Sequence, residues 1–183
     1  MIWLQRILGF FVGFGCLLGV AFLVATTFGW DRIWEQLAGP ADLGIVEFEG
    51  LSKNSSPNQA LICPDGVCKD DDRDLASPLY SVDAQQLRAR MIDAVAQTTD
   101  VERLDDDSDP LRLRYLARSR LMRFPDTIDM AFYNMGDSRS TLAIYSRAQV
   151  GKTDFGANLA RVKKWLAAIR DISIEETATK PEK

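Results

Sequence analysis

The chain has no histidine among its 183 residues. That removes the Ser-His-Asp and Cys-His pairs of nucleophilic catalysis, and every metal site that needs an imidazole. Cysteine is scarce, at three residues. Cys16 lies in an apolar run, and Cys63 with Cys68 cannot complete a zinc site alone. Excess positive charge is also missing, since 22 Lys and Arg stand against 26 Asp and Glu. A general nucleic-acid binder carries the opposite balance. The acidic run Lys69–Asp74 lacks the glycine turn and distal acid of a calcium loop, so it reads as solvated loop. No internal repeat is visible. No metal and no cofactor are expected, and no residue is assigned a catalytic role.

Charge and proline are absent from residues 7 to 28. As a helix this run spans about 33 Å, enough for a bilayer core of about 30 Å. Trp3 precedes it, and Trp30 and Trp34 follow. Amphipathic indoles favour the headgroup level. A cleaved signal peptide is the rival, but its apolar region is normally about 7–15 residues with a small-x-small site. Ala25-Thr26-Thr27-Phe28 is a poor site, and Gly13-Phe14-Gly15 before Cys16 is a poor lipoprotein box. Residues 1–34 are therefore expected to be an uncleaved membrane anchor with a short flank. Arg6 before the helix and Arg32 after it nearly balance. The amino terminus tips the positive-inside count toward an outer, periplasmic domain.

Residues 35–78 carry Gly39-Pro40, Ser55-Ser56-Pro57-Asn58, Pro64-Asp65-Gly66 and Ser77-Pro78. These breakers predict a linker and an irregular lobe holding both soluble cysteines, with at best a short strand at Ile45-Val46-Glu47-Phe48. Regular patterning begins at Ser81, which reads as the N-cap of a helix. Ala84, Leu87, Met91 and Val95 recur at helical spacing, giving a helix over about Val82–Gln97. Val101–Leu104 is a short strand, and Asp105–Pro110 a turn. Leu111, Leu113, Tyr115 and Ala117 then alternate with Arg112, Arg114, Leu116 and Arg118. Arg120 stays in the arginine phase, with a bulge expected near Leu121-Met122. Ile128, Met130 and Phe132 alternate with Asp129, Ala131 and Tyr133, and Leu142 and Ile144 with Thr141, Tyr145 and Arg147. Period-two alternation puts the two sets on opposite faces. A last helix carries the stripe Phe155, Leu159, Val162, Leu166 and Ile169, capped by Thr153 or Asp154. The expected fold is α+β over residues 79–172. It is a four-stranded antiparallel sheet with two helices on one face, in the order α-β-β-β-β-α, and residues 173–183 are a disordered tail.

Three blocks are similar to a known family. Pro57–Cys68 with Ser77-Pro78-Leu79-Tyr80 resembles the opening of the family called domain of unknown function 1499. Arg120–Asp126 resembles its central block. Ser140–Arg147 and Gly151–Asn158, with Arg161 and Trp165, resemble its closing block. The resemblance covers Ser56–Arg170. It implies a signal or membrane segment beside this domain, and it implies no activity.

Three constellations are candidate sites. Cys63 and Cys68 have four residues between them, too many for a thioredoxin-like motif. A structural disulfide is the better reading if the domain lies outside, and reduced inert cysteines are the alternative. The polar sheet face gathers Arg112, Arg114, Arg118, Arg120 and Arg147, with Arg139, Tyr133, Tyr145 and Asp129. Like charges on alternate positions repel. They need cross-strand acids, or an external anion such as a lipid headgroup or an acidic partner subunit. The third set is Lys152, Asp154, Asn158 and Arg161, near Arg147 at the strand-to-helix turn. It is either a polar network that fixes the last helix or a small-ligand pocket. The chain reads as a membrane-anchored accessory or interaction domain, with the bilayer and a larger membrane complex or anionic lipid as partners. The alternative is an enzyme or carrier for a small anionic or lipid-like ligand at the arginine face.

Overall fold

An apolar run with no internal breaker makes the first helix. In the computed structural model, which describes residues 2–53 and 56–174, α1 spans Ile2–Phe28. Its segment Trp3–Thr27 is long and apolar enough to cross a membrane. Thr26 and Thr27 donate their hydroxyls back to Leu23 O at 2.8 and 2.9 Å, so neither leaves a polar group facing outward unsatisfied. Gly29 takes φ +89°, a conformation open to glycine, and stops the helix. A second helix, α2 (Trp30–Ala38), follows at once. Trp30, Ile33, Trp34 and Leu37 recur along one side of it, and the Trp30 and Trp34 rings stack at 6.0 Å. These helices form one unit, ending at Pro40, and a second unit begins at Ala41.

The second unit is α+β, built on β1 (Gln59–Cys63), β2 (Leu75–Ala76), β3 (Leu79–Tyr80), β4 (Val101–Arg103), β5 (Arg112–Arg118), β6 (Pro125–Asn134), β7 (Ser140–Ala148) and β8 (Ser173–Ile174). Its helices are α3 (Ala84–Ala96) and α4 (Ala157–Ala168). The sheet order is β2-β1-β7-β6-β5-β4, with β3 pairing to β7 and β8. The four expected antiparallel strands are β4 to β7, but the sheet has eight strands. The largest addition is β1, antiparallel to β7 with Leu61 opposite Tyr145. It is buried along its whole length, so it shows no alternation.

Alternation sorts the faces as expected. Leu113, Tyr115, Ala117, Ile128, Met130, Phe132, Leu142 and Ile144 join α3 and α4 in the main core. Four local expectations need correction. Asp83, not Ser81, caps α3, accepting from Gln86 N at 2.8 Å. The slip near Leu121 is a closed loop, not a bulge, with Ser119 N donating to Phe124 O at 3.1 Å. Of the expected stripe, Val162 and Ile169 are in the core and Leu159 and Leu166 pack against it, but Phe155 is 95% exposed, and Asn158 and Trp165 are buried as well. Trp165 Nε1–H donates to Thr98 Oγ1 at 2.9 Å, so an aromatic outside the expected stripe is buried in the helix contact. Of the tail expected over 173–183, Ser173 and Ile174 form β8, and the rest lies outside the described residues.

Of the stretch 35–78 read as a linker and irregular lobe, residues from Ala41 onward cluster with the second unit. They give the second unit an extended strap (residues 41–48), the strand β1 and a cysteine loop. Cys63 and Cys68 are joined in a disulfide. Val46, Phe48, Leu61, Cys63, Cys68, Ala131, Ala143 and Tyr145 form a second, smaller core on the arginine side of the sheet. The face expected to be open thus carries its own cover.

Candidate functional site: the arginine face and its strap

Pairing of β5 with β6 and of β6 with β7 places Arg114, Asp129 and Tyr145 in one row across three strands. Asp129 is the hub. Arg114 Nε donates to Asp129 Oδ1 at 2.9 Å, and Arg147 Nη2 to Asp129 Oδ2 at 2.7 Å. Burial raises the Asp129 carboxyl above its ordinary range, and the two guanidiniums offset this only in part. Arg147 also lies over the Tyr145 ring, 5.3 Å from its centre. The Tyr145 hydroxyl donates to Gln59 Oε1 on β1. Tyr133, at the far end of the row of strands, has its hydroxyl pushed up to about 12 by burial, helped by Glu49.

The strap completes the charge pairing. Arg114 holds Asp42, Arg147 Nη2 donates to Gly44 O at 2.9 Å, and Arg112 Nη1 donates to Val46 O at 2.7 Å. Arg112 also pairs with Glu47 at 2.6 Å. Burial disfavours the Asp42 carboxylate, but hydrogen bonds from Arg114 and Gly44 outweigh it and hold its pKa below the usual range. Thr127 anchors the strap's start, donating to Ala41 O at 3.1 Å and accepting from Leu43 N at 3.0 Å. Val46 and Phe48 point inward, Ile45 and Glu47 outward. The period-two pattern of Ile45–Phe48 is therefore real, but arginine side chains replace a partner strand.

Not every expected residue reaches this site. Arg118 ends β5 beside Asp100, Glu102 and Arg123, lining a cleft of about 150 Å³. Arg120 is exposed on the β5–β6 loop, and Arg139 pairs with Asp137 in the β6–β7 hairpin at 3.4 Å. The strand phase of both fails because each lies just beyond its strand. The strap leaves a pocket of about 340 Å³ beside Arg112 and Arg114, closed by Ile45, Asp129 and the acidic loop 104–109.

The third constellation divides between the two faces. Arg161 Nη2 donates to Asp126 Oδ2 at 2.6 Å, and its Nη1 to Asn158 Oδ1 at 2.8 Å and Ser146 Oγ at 3.1 Å. Asn158 and Ser146 are fully buried, and Asn158 reaches Asn58 O at 3.3 Å. Asp154 does not pair with Arg161 or Arg147. It accepts from Gly156 N and Asn158 N at 3.0 and 2.8 Å, at the start of α4. Arg147 faces the strap instead, and Lys152 is exposed.

A family model matches residues 51–169, described as Protein of unknown function (DUF1499). The chain belongs to this family. No curated protein matches it. The DUF1499 match takes in Arg112, Arg114, Asp129, Arg147 and both disulfide cysteines, but not the strap. Asp42, Glu47 and Phe48 therefore lie outside the matched region and had no family block to mark them. Their one sequence signal was the acid-rich, alternating stretch that follows the anchor.

Proposed function

We propose that this DUF1499 chain is a single-pass, membrane-anchored accessory domain that serves interaction rather than catalysis. One observation carries the reading. The charges of Arg112, Arg114 and Arg147 are matched internally, by Glu47, Asp42 and Asp129, with strap carbonyls taking further donors and the buried Arg147 Nε left without a partner among the described residues, so an anionic ligand would compete with bound acids here. The rival enzyme or carrier would use the pocket beside Arg112 and Arg114. Asp105, Asp106, Asp109 and Asp129 outnumber the arginines in its lining, which opposes an anionic ligand.

The domain is assigned to the outer, periplasmic or equivalent side. The Cys63–Cys68 disulfide supports this, because such bonds persist in oxidising compartments. The partner is a larger membrane protein complex. Purification of tagged full-length chain in mild detergent tests it. A membrane subunit recovered in fixed ratio is the expected result. Recovery of the chain alone, with bulk lipid only, would overturn the interaction reading. Alkylation of Cys63 and Cys68 without reductant, in intact cells, would overturn the side.

A further inference from the structure

The most exposed bulky apolar side chains of the second unit are Phe155, at 95%, and Leu121, at 69%. They sit on different loops at one end of the sheet. Leu121 is on the β5–β6 loop, and Phe155 on the β7–α4 loop. Gln149 N donates to Pro125 O at 3.0 Å and Asp126 pairs with Ala148, so both loops leave the same pair of strand ends. Phe155 holds φ +53°, a left-handed conformation that a bulky residue rarely adopts. The Asp154 carboxylate, bonded to Gly156 N and Asn158 N, fixes the turn that presents the ring outward.

The charge at this end is cationic. Arg120 and Lys152 are exposed. Of the neighbouring acids, Asp126 pairs with Arg161, Asp100 with Arg123 and Asp154 holds the helix start, while Glu102 shares a small cleft with Arg118. The chain also enters the second unit here. Ala41, its first residue, is bonded to Thr127, two residues into β6 from the same end. The second unit's first residue therefore lies at the same end of the sheet as the loops that carry the exposed apolar pair.

We infer that this end docks on the bilayer that α1 spans, with Phe155 and Leu121 seated at headgroup depth and Arg120 and Lys152 on anionic lipid phosphates. Amphipathic edges of this kind bind membranes through apolar insertion plus attraction to acidic lipids. Each contact is weak alone, but a tether raises its effective concentration. The inference rests on the reading of α1 as a membrane anchor.

The test uses the full chain with Cys16→Ser, its disulfide intact, in phosphatidylcholine vesicles containing phosphatidylglycerol. Single spin labels are placed at Phe155→Cys, Leu121→Cys, Asp137→Cys and Leu17→Cys. Collision with a water-soluble nickel reagent is compared with collision with oxygen. Labels at 155 and 121 should be several-fold less accessible to nickel than the label at 137, in the hairpin at the opposite end. The pair Arg120→Glu and Lys152→Glu should raise nickel access at 155 to the level at 137. Equal access at 155, 121 and 137, with Leu17 protected, overturns the docking and leaves the anchor standing. Nickel access at Leu17 overturns the anchor itself.

Discussion

On one face of the sheet, Leu113, Ile128 and Ile144 meet two helices, and the contact is mainly apolar, with the Arg161–Asp126–Asn158–Ser146 network set into it. On the other, Arg114, Asp129 and Arg147 meet a strap of a few extended residues. A helix brings a continuous stripe of side chains to a sheet, so burial alone can hold it. An extended strap presents every second residue, too little apolar area to be held that way. Here it supplies one large plug, Phe48, and otherwise offers carbonyls and acids to guanidiniums. Cover of a sheet can thus rest chiefly on area or chiefly on directed bonds, and the two sides of this chain differ in which dominates.

Large-to-small changes on the two faces test that difference most strongly. Trp165→Ala on the helix side should lower stability by about 4 kcal/mol, and Phe48→Ala on the strap side by about 3 kcal/mol. Urea titration followed by circular dichroism reads both. A loss below about 1 kcal/mol for Phe48→Ala would mean that the strap is a detachable cover.

The ion pairs come next. Asp129→Ala strands two half-buried arginines and should cost about 3 kcal/mol, whereas Asp42→Ala removes a more exposed partner and should cost about 0.5 kcal/mol. Equal effects in thermal melts would show that the strap, not the sheet, neutralises Arg114. Cys63→Ser should cost about 2 kcal/mol through the lost local crosslink. Reductant should lower the melting temperature of the native chain and leave that of the variant unchanged.

Acid gives the smallest effect, with opposed signs. Asp126 and Asp129 are raised by burial, which their arginine partners only partly offset. Both take up protons in the folded chain above the ordinary 3.8, which favours folding as pH falls. Partial burial disfavours the charged forms of Asp42, Asp105 and Asp154 too, but their hydrogen bonds hold them below 3.8. Their stabilisation is complete above 3.8 and lost as pH falls through their folded values. The melting temperature should therefore hold, or rise by up to about 4 °C, from neutral toward pH 4, and then decline. A steady fall from neutral pH would show that the arginines dominate Asp129.

The helix face was legible because its strands and helices have periods. Alternation in β5, β6 and β7 named the core residues and the arginine row directly. The long apolar run named α1. What escaped was whatever had no period: β1, buried on both sides, and the strap, whose partners are side chains from residues 65 or more positions later. Arg112, Arg114 and Arg147 were read as a face in need of counter-charge, and Asp129 was named as one source. Asp42 and Glu47 were not, because nothing local to them points across the sheet. Phe155 was misplaced for a related reason. It continues the helical spacing of α4, but its left-handed backbone puts it outside the helix.

The grip on the strap has a consequence for which sequences the position can accept. Arg112 and Arg147 take hold of the carbonyls of Val46 and Gly44, groups that every residue possesses. Replacing the outward Ile45 leaves those handles untouched. Adding or deleting one residue between Thr127's partner Ala41 and the plug Phe48 does not, since each carbonyl then moves to the opposite side and Phe48 turns to solvent. The strap should tolerate substitution freely at its outward positions and insertion hardly at all, so its length, more than its composition, is what a functional variant must keep.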